Sequence, residues 1–244
     1  MKTRYIWLIG IGAALVIVVA GVLFYTSRFA STVNQAHTAP GPIIVSPTTT
    51  AGTPTATDQS SSSGSLRTCQ IVPAQTTASY SVFENLIFEN KPNNDAIGTT
   101  HSVQGNFKIQ TGTSPLIEAM NITVDLRTLQ TDSQMRDNYV RQHALETDTY
   151  PNATFVSVST QGLPGSYNDG QSVHFLLTGN LTMHGKTNKE VFDVQGKVAN
   201  KTVTGTATST IFMTDFGIQP PNLANIAIAQ NKVVITITFT AKAA

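Results

Sequence analysis

The feature that most constrains this chain is an alternation over residues 173–184. Val173, Phe175, Leu177, Gly179, Leu181 and Met183 are apolar or glycine, while His174, Thr178, Asn180, Thr182 and His184 are polar, and only Leu176 is out of step. Successive side chains of a strand point to opposite faces, so a period of two means a sheet with one buried face. The pattern recurs. Met120, Ile122, Val124 and Leu126 alternate with Ala119, Asn121, Thr123 and Asp125; Val233, Ile235, Ile237 and Phe239 alternate with Thr236, Thr238 and Thr240. Val203, Gly205, Ala207 and Ile211 alternate with a row of even-numbered threonines. Further strands are expected over 78–85, 102–110, 154–160 and 190–198.

Turn-forming clusters at 91–95, 112–115, 164–170 and 184–188 punctuate these runs. One helix is expected, from 132 to 145, with Asp132 or Ser133 as its N-cap and Met135, Tyr139, Gln142 and Leu145 along one face. Many short-spaced strands with a single helical insertion describe an all-β fold, an antiparallel barrel or sandwich. Around eight strands close into a barrel wide enough for one ligand.

Composition excludes several kinds of chemistry. Only 12% of the residues are charged and the net charge is +1, against a usual charged fraction of about 25%. Threonine and serine fill the polar positions instead. With no basic stripe, a nucleic-acid partner is not expected. The single cysteine, Cys69, has no internal disulfide partner and no CxxC neighbourhood, and reads as a small residue in a short strand. His37, His101, His143, His174 and His184 form no metal-ligand spacing; His174 and His184 fall on the polar, outward set of their strand and read as solvated. No HExxH, GxSxG or phosphate-cradling glycine loop occurs. The carboxylates Asp125, Asp132 and Asp137 are interleaved with Arg127, Arg136 and Arg141. Mixed signs around a helix start point to capping and ion pairing rather than acid–base work. No enzyme activity and no metal are expected.

The amino terminus is of another kind. Every residue from Tyr5 to Tyr25 is apolar, aromatic or glycine, and about 20 helical residues span a hydrocarbon core. Lys2 and Arg4 precede the run and Arg28 follows it, which places the start in the cytoplasm. Residues 1–30 read as an uncleaved, single-pass signal anchor. A signal peptide cut after Ala30 is the competing reading, against which the run is too long. Residues 31–65 are rich in Thr, Ser and Pro with almost nothing to bury, and read as a disordered linker. Its mean reach is roughly 30–35 Å, and an O-glycosylated stalk is an alternative use of the same composition. Residues 66–244 then form a β-domain at the cell membrane, outside the cytoplasm. The oligomeric state is not legible.

The inward faces carry large apolar residues: Phe107, Met120, Phe155, Phe175, Phe192, Phe212, Phe216 and Phe239, with Ile122, Val124, Leu177 and Leu181 beside them. Two readings remain open. Either these side chains meet and fill a core, or they line an apolar cavity. Periodicity alone does not separate them, because both need apolar inward positions.

Asp125, Thr131, Arg136-Asp137, Arg141, Tyr150-Pro151, Thr154-Phe155, Gly179, Leu181-Thr182, Gly185 and Asp215-Phe216-Gly217 occur in this order. The series resembles the recurring pattern of the YceI-like polyisoprenoid-binding proteins, and the resemblance runs from about Leu66 to the end. It implies an elongated, lipocalin-like antiparallel β-barrel with one inserted helix, enclosing a long isoprenoid chain. The implied partner is an apolar lipid, and the implied cofactor is none, save a bound isoprenoid lipid or quinone as cargo. Two departures stand out. The helix ends in Gln142-His-Ala-Leu-Glu where the family has an acidic-aromatic pair, and a long loop is expected from 88 to 100, which many relatives shorten. A carbon buried in such a barrel contributes roughly 0.8 kcal/mol gross, so one isoprene unit supplies about 3–4 kcal/mol before ordering costs.

Overall fold

The structure is a computed structural model that describes residues 65–87, 89–223 and 226–243. The expected membrane segment, and all of the expected linker but its last residue, lie outside the described residues. No helix among the described residues is long and apolar enough to cross a membrane.

The strands close on themselves. In chain order they are β1 (Arg67–Ile71), β2 (Thr77–Leu86), β3 (Lys91–Thr100), β4 (Val103–Gln110), β5 (Gly112–Thr113), β6 (Leu116–Asp125), β7 (Asn152–Gln161), β8 (Ser166–Tyr167), β9 (Ser172–Met183), β10 (Lys186–Ala199), β11 (Thr202–Phe212), β12 (Asn222–Leu223) and β13 (Ala227–Ala243). Hydrogen bonding runs β1-β4-β6-β7-β9-β10-β11-β13, and antiparallel pairing of Cys69 with Ala243 returns β13 to β1. That is a ring of eight antiparallel strands. The first two wall strands are each broken once. A short turn at Pro73–Gln75 separates β1 from β2 along the same edge of β13, and His101-Ser102 separates β3 from β4.

Parity decides what faces inward. On β9 burial alternates as the sequence pattern demands, with Phe175, Leu177, Leu181 and Met183 inside and His174, Leu176 and Asn180 outside. The inward sets of the other strands join them in two buried clusters, one around Phe155, Phe192 and Phe216, the other around Cys69, Val103 and Phe107. Cys69 is fully buried, and burial pushes its thiol upward.

The helical excursion sits between β6 and β7. Helix α1 (Gln134–Tyr139) is capped by Ser133, whose hydroxyl accepts from the Arg136 N–H. The expected helix over 132–145 is here shorter and of two kinds, because Val140–Ala144 winds on as a wider turn in which the Leu145 N–H reaches the Val140 carbonyl. Of the expected face, Tyr139 and Leu145 turn toward the barrel interior, while Met135 is 78% exposed at its mouth.

The expected loop over 88–100 is also corrected. Lys91–Thr100 is a strand, paired to β2 from Ala78↔Thr100 down to Leu86↔Lys91. Pro92 and two asparagines read as a turn locally, but β3 meets only the single bridge Thr99↔Gln130 on its outer side. Proline is tolerated at such an edge, where its missing donor has no partner to lose.

Candidate functional site

The barrel is not filled. A cavity of about 1280 Å³ runs along its interior, from Leu86, Met135 and Ile226 at the end that carries α1 to Pro115, Leu163 and Tyr167 at the opposite end. Ligand pockets commonly span about 300–1,000 Å³, so this volume exceeds what packing defects leave behind. Its wall is overwhelmingly aliphatic and aromatic, because each strand contributes every second residue and those residues are apolar.

Ten of the twelve residues expected to point inward lie on this wall: Phe107, Met120, Ile122, Val124, Phe155, Phe175, Leu177, Leu181, Phe192 and Phe239. Two do not. Phe212 is 48% exposed, since it follows Ile211 and the inward set of β11 is odd-numbered. Phe216 is fully buried but outside the wall, in the short helix Met213–Phe216 that plugs the α1 end between β11 and β13.

Large rings fit where the facing position is small. The Phe155 ring lies over Gly179, where an added Cβ would meet the ring at 2.3 Å. This explains why Thr154-Phe155 and the glycine of β9 occur together: neighbouring strands share one ring's space. Phe155 also meets Phe192 edge-on, with ring centroids 5.1 Å apart.

The remaining motif residues gather at the α1 end as structure. Asp125 accepts from the Arg127 backbone N–H at 3.0 Å and from its guanidinium at 2.7 Å, and that bonding holds its carboxyl below the usual range. Asp137 accepts from both the N–H and the hydroxyl of Thr131, each at 2.8 Å. Arg141 donates to the Leu129 carbonyl at 3.1 Å. These bonds fold the segment after β6 across the barrel end, where Thr128 also meets Thr100 of β3 at 2.6 Å.

Farther round the same end, His184 departs from the solvated reading. Its φ of 51° turns the chain out of β9, and its ring packs against Tyr150 with centroids 4.8 Å apart. Nδ1–H donates to the Phe216 carbonyl at 3.1 Å, and the buried Nε2 stands 3.4 Å from Glu146 without a hydrogen bond. Tyr150, preceding Pro151, thus meets Gly185, while His184 ties to the Asp215-Phe216-Gly217 turn, which Gly217 closes with a φ of 74°. His174, by contrast, is exposed beside Asp193 at 2.7 Å.

Sequence reasoning missed Glu84. It is buried on the inward face of β2, pairs with Arg136 of α1 at 2.6 Å, and is part of the cavity wall. Parity held the signal: Ala78, Tyr80, Val82, Glu84 and Leu86 share one face. Among the described residues no three His, Cys, Asp or Glu side chains converge as a metal-binding group.

A closed antiparallel eight-stranded barrel around a long apolar cavity, plugged by a short helical segment, defines the class of protein this is. A family profile described as a YceI-like domain matches residues 70–241, and the chain belongs to the YceI-like family. No curated protein sequence matches the chain. Among solved structures, it is similar to a polyisoprenoid binding domain from Saccharophagus degradans implicated in plant cell wall breakdown. That match has 14% identity and a TM-score of 0.57, and covers 72% of this chain and 98% of that one. It is also similar to Burkholderia cenocepacia BcnA, at 19% identity and a TM-score of 0.52, over 70% of this chain and 99% of that one.

Proposed function

We infer that this chain binds a lipid with a long apolar chain, a polyisoprenoid or a quinone with an isoprenoid tail, and encloses it for transport, storage or sequestration. The observation that carries this reading is the 1280 Å³ apolar-walled cavity along the barrel. Family membership supports it, as does the likeness to a domain described as polyisoprenoid-binding. A filled structural barrel is the alternative, and the cavity's volume speaks against it. The protein acts by binding rather than by catalysis: the carboxylates near the helix are engaged in caps and ion pairs, which suits them to holding a fold. The apolar run from Tyr5 to Tyr25 supports a barrel tethered at the outer face of a membrane, where it takes its lipid from the bilayer.

The test is linkage. Delipidated full-length chain in detergent, titrated with a long polyprenol, should unfold at a midpoint that climbs with ligand concentration, because binding to the folded state alone stabilises it. An unchanged midpoint at saturating polyprenol sinks the reading.

A further inference from the structure

Charged wall residues gather at the α1 end, with Lys197 alone at the opposite end, and the polar groups at the α1 end are arranged unequally. Arg136 donates to Oε1 of Glu84 at 2.6 Å, and the Asn94 amide donates to the same oxygen at 3.0 Å. Oε2 of Glu84 receives no hydrogen bond from any described residue, although the side chain is only 9% exposed. On the same face of β2 lies Tyr80. Its ring covers Gly98 of the paired strand, where an added Cβ would come within 2.3 Å of the ring. The Tyr80 hydroxyl has no hydrogen-bond partner among the described residues, and both side chains form part of the wall. Burial pushes the phenol up to about 12, so it stays a neutral O–H.

The charges at this end are committed. At this end the wall carboxylates are Glu84, Glu89 and Asp132 and the wall cations are Arg136 and Lys91, while Lys197 belongs to the opposite end. Lys91 is bonded to Glu89, and Arg136 is shared between Glu84 and Asp132. Three negative charges against two positive leave no unpaired cation in the described wall here to meet an anionic head group. A buried anion without a counter-charge is strongly disfavoured, the more so beside a carboxylate.

We propose that the ligand's head group is neutral and carries an O–H or N–H donor, as in a prenol, a hydroquinone or a primary amide. It docks at the α1 end, donating to Oε2 of Glu84 and bonding the Tyr80 hydroxyl, with its tail directed toward Tyr167. The site thereby rejects prenyl phosphates, diphosphates and carboxylates. This rests on the reading of the barrel as a container for a long apolar chain. It adds which end reads the head and what chemistry is read.

Three probes with one tail separate the two ideas. Delipidated full-length chain is titrated with geranylgeraniol, geranylgeranyl methyl ether and geranylgeranyl diphosphate. The alcohol should bind at least tenfold tighter than the ether, which lacks a donor, and at least tenfold tighter than the diphosphate. Tyr80→Phe should weaken the alcohol and the ether alike, several-fold, because either oxygen accepts from the phenol, while Glu84→Gln should narrow the gap between alcohol and diphosphate. If the alcohol and the ether bind equally, or if the diphosphate binds as tightly as the alcohol, the head-group proposal falls and the container reading stands. If none of the three binds, both fall. Should Glu84→Gln fail to fold because Arg136 loses its partner, the Tyr80→Phe titration decides alone.

Discussion

The cavity wall and the plugged α1 end are built from different kinds of residue. The wall is assembled from every second side chain of many strands, and no single residue defines it. The plug is assembled from specific pairs: Asp137 with Thr131, Tyr150 with His184, Phe216 with the His184 ring nitrogen. Most of the residues that carry the family resemblance belong to the plug and its approaches, not to the surface facing the cavity. The motif therefore identifies the fold by how it closes one end, while the choice of ligand rests with residues such as Tyr80 and Glu84 that stand outside it. Stability and ligand capture should accordingly separate under mutation.

The largest effect is expected at Phe216. Removing this fully buried ring with Phe216→Ala should cost about 3–5 kcal/mol in urea unfolding, yet protein still folded at low temperature should keep its lipid. Gly179→Val comes next. Its side chain collides with the Phe155 ring, so overpacking should cost about 1–3 kcal/mol in the same assay. Asp125→Asn removes the charge from a turn cap and should cost about 1 kcal/mol. Because bonding to Arg127 depresses the folded-state acidity of Asp125, its contribution is present above the ordinary carboxylate range. It is lost as the pH falls through the still lower folded value, so an acid titration of stability should show wild type and Asp125→Asn converging below about pH 4. Met120→Trp reverses the pattern, with stability within about 1 kcal/mol of wild type because the ring enters open space, and lipid content reduced at least tenfold. Phe212→Ser, on the outer face, should change stability by no more than about 0.5 kcal/mol and leave lipid content intact. A wall variant that unfolds the barrel, or a plug variant that empties it while folded, would break the distinction.

Much of the barrel was legible because period-two alternation survives wherever one face is buried. Burial along β9 follows it throughout, with Leu176 the one large apolar residue on the outer face. What was not legible has physical reasons. Lys91-Pro-Asn-Asn-Asp looks like a turn because local preference knows nothing of the β2 edge that recruits it into a strand. The size of Phe212 points inward, but the odd-numbered inward set of β11 places it outside. His184 continues the polar set of a solvated face in the sequence, but the strand ends at Met183 and the left-handed backbone at His184 turns the ring inward. The cavity itself was beyond the pattern, since a filled interior and an empty one both require apolar inward side chains. Only the distances between opposite walls tell them apart.

An interior of this volume and character should hold a hydrocarbon tail. Native mass spectrometry of the full-length chain, released from detergent beside Phe175→Trp, tests it most directly. One adduct of long-chain lipid mass per wild-type barrel, and none on the folded variant, is the expected result. Bare wild-type protein after gentle release, or an equal adduct on Phe175→Trp, would contradict it.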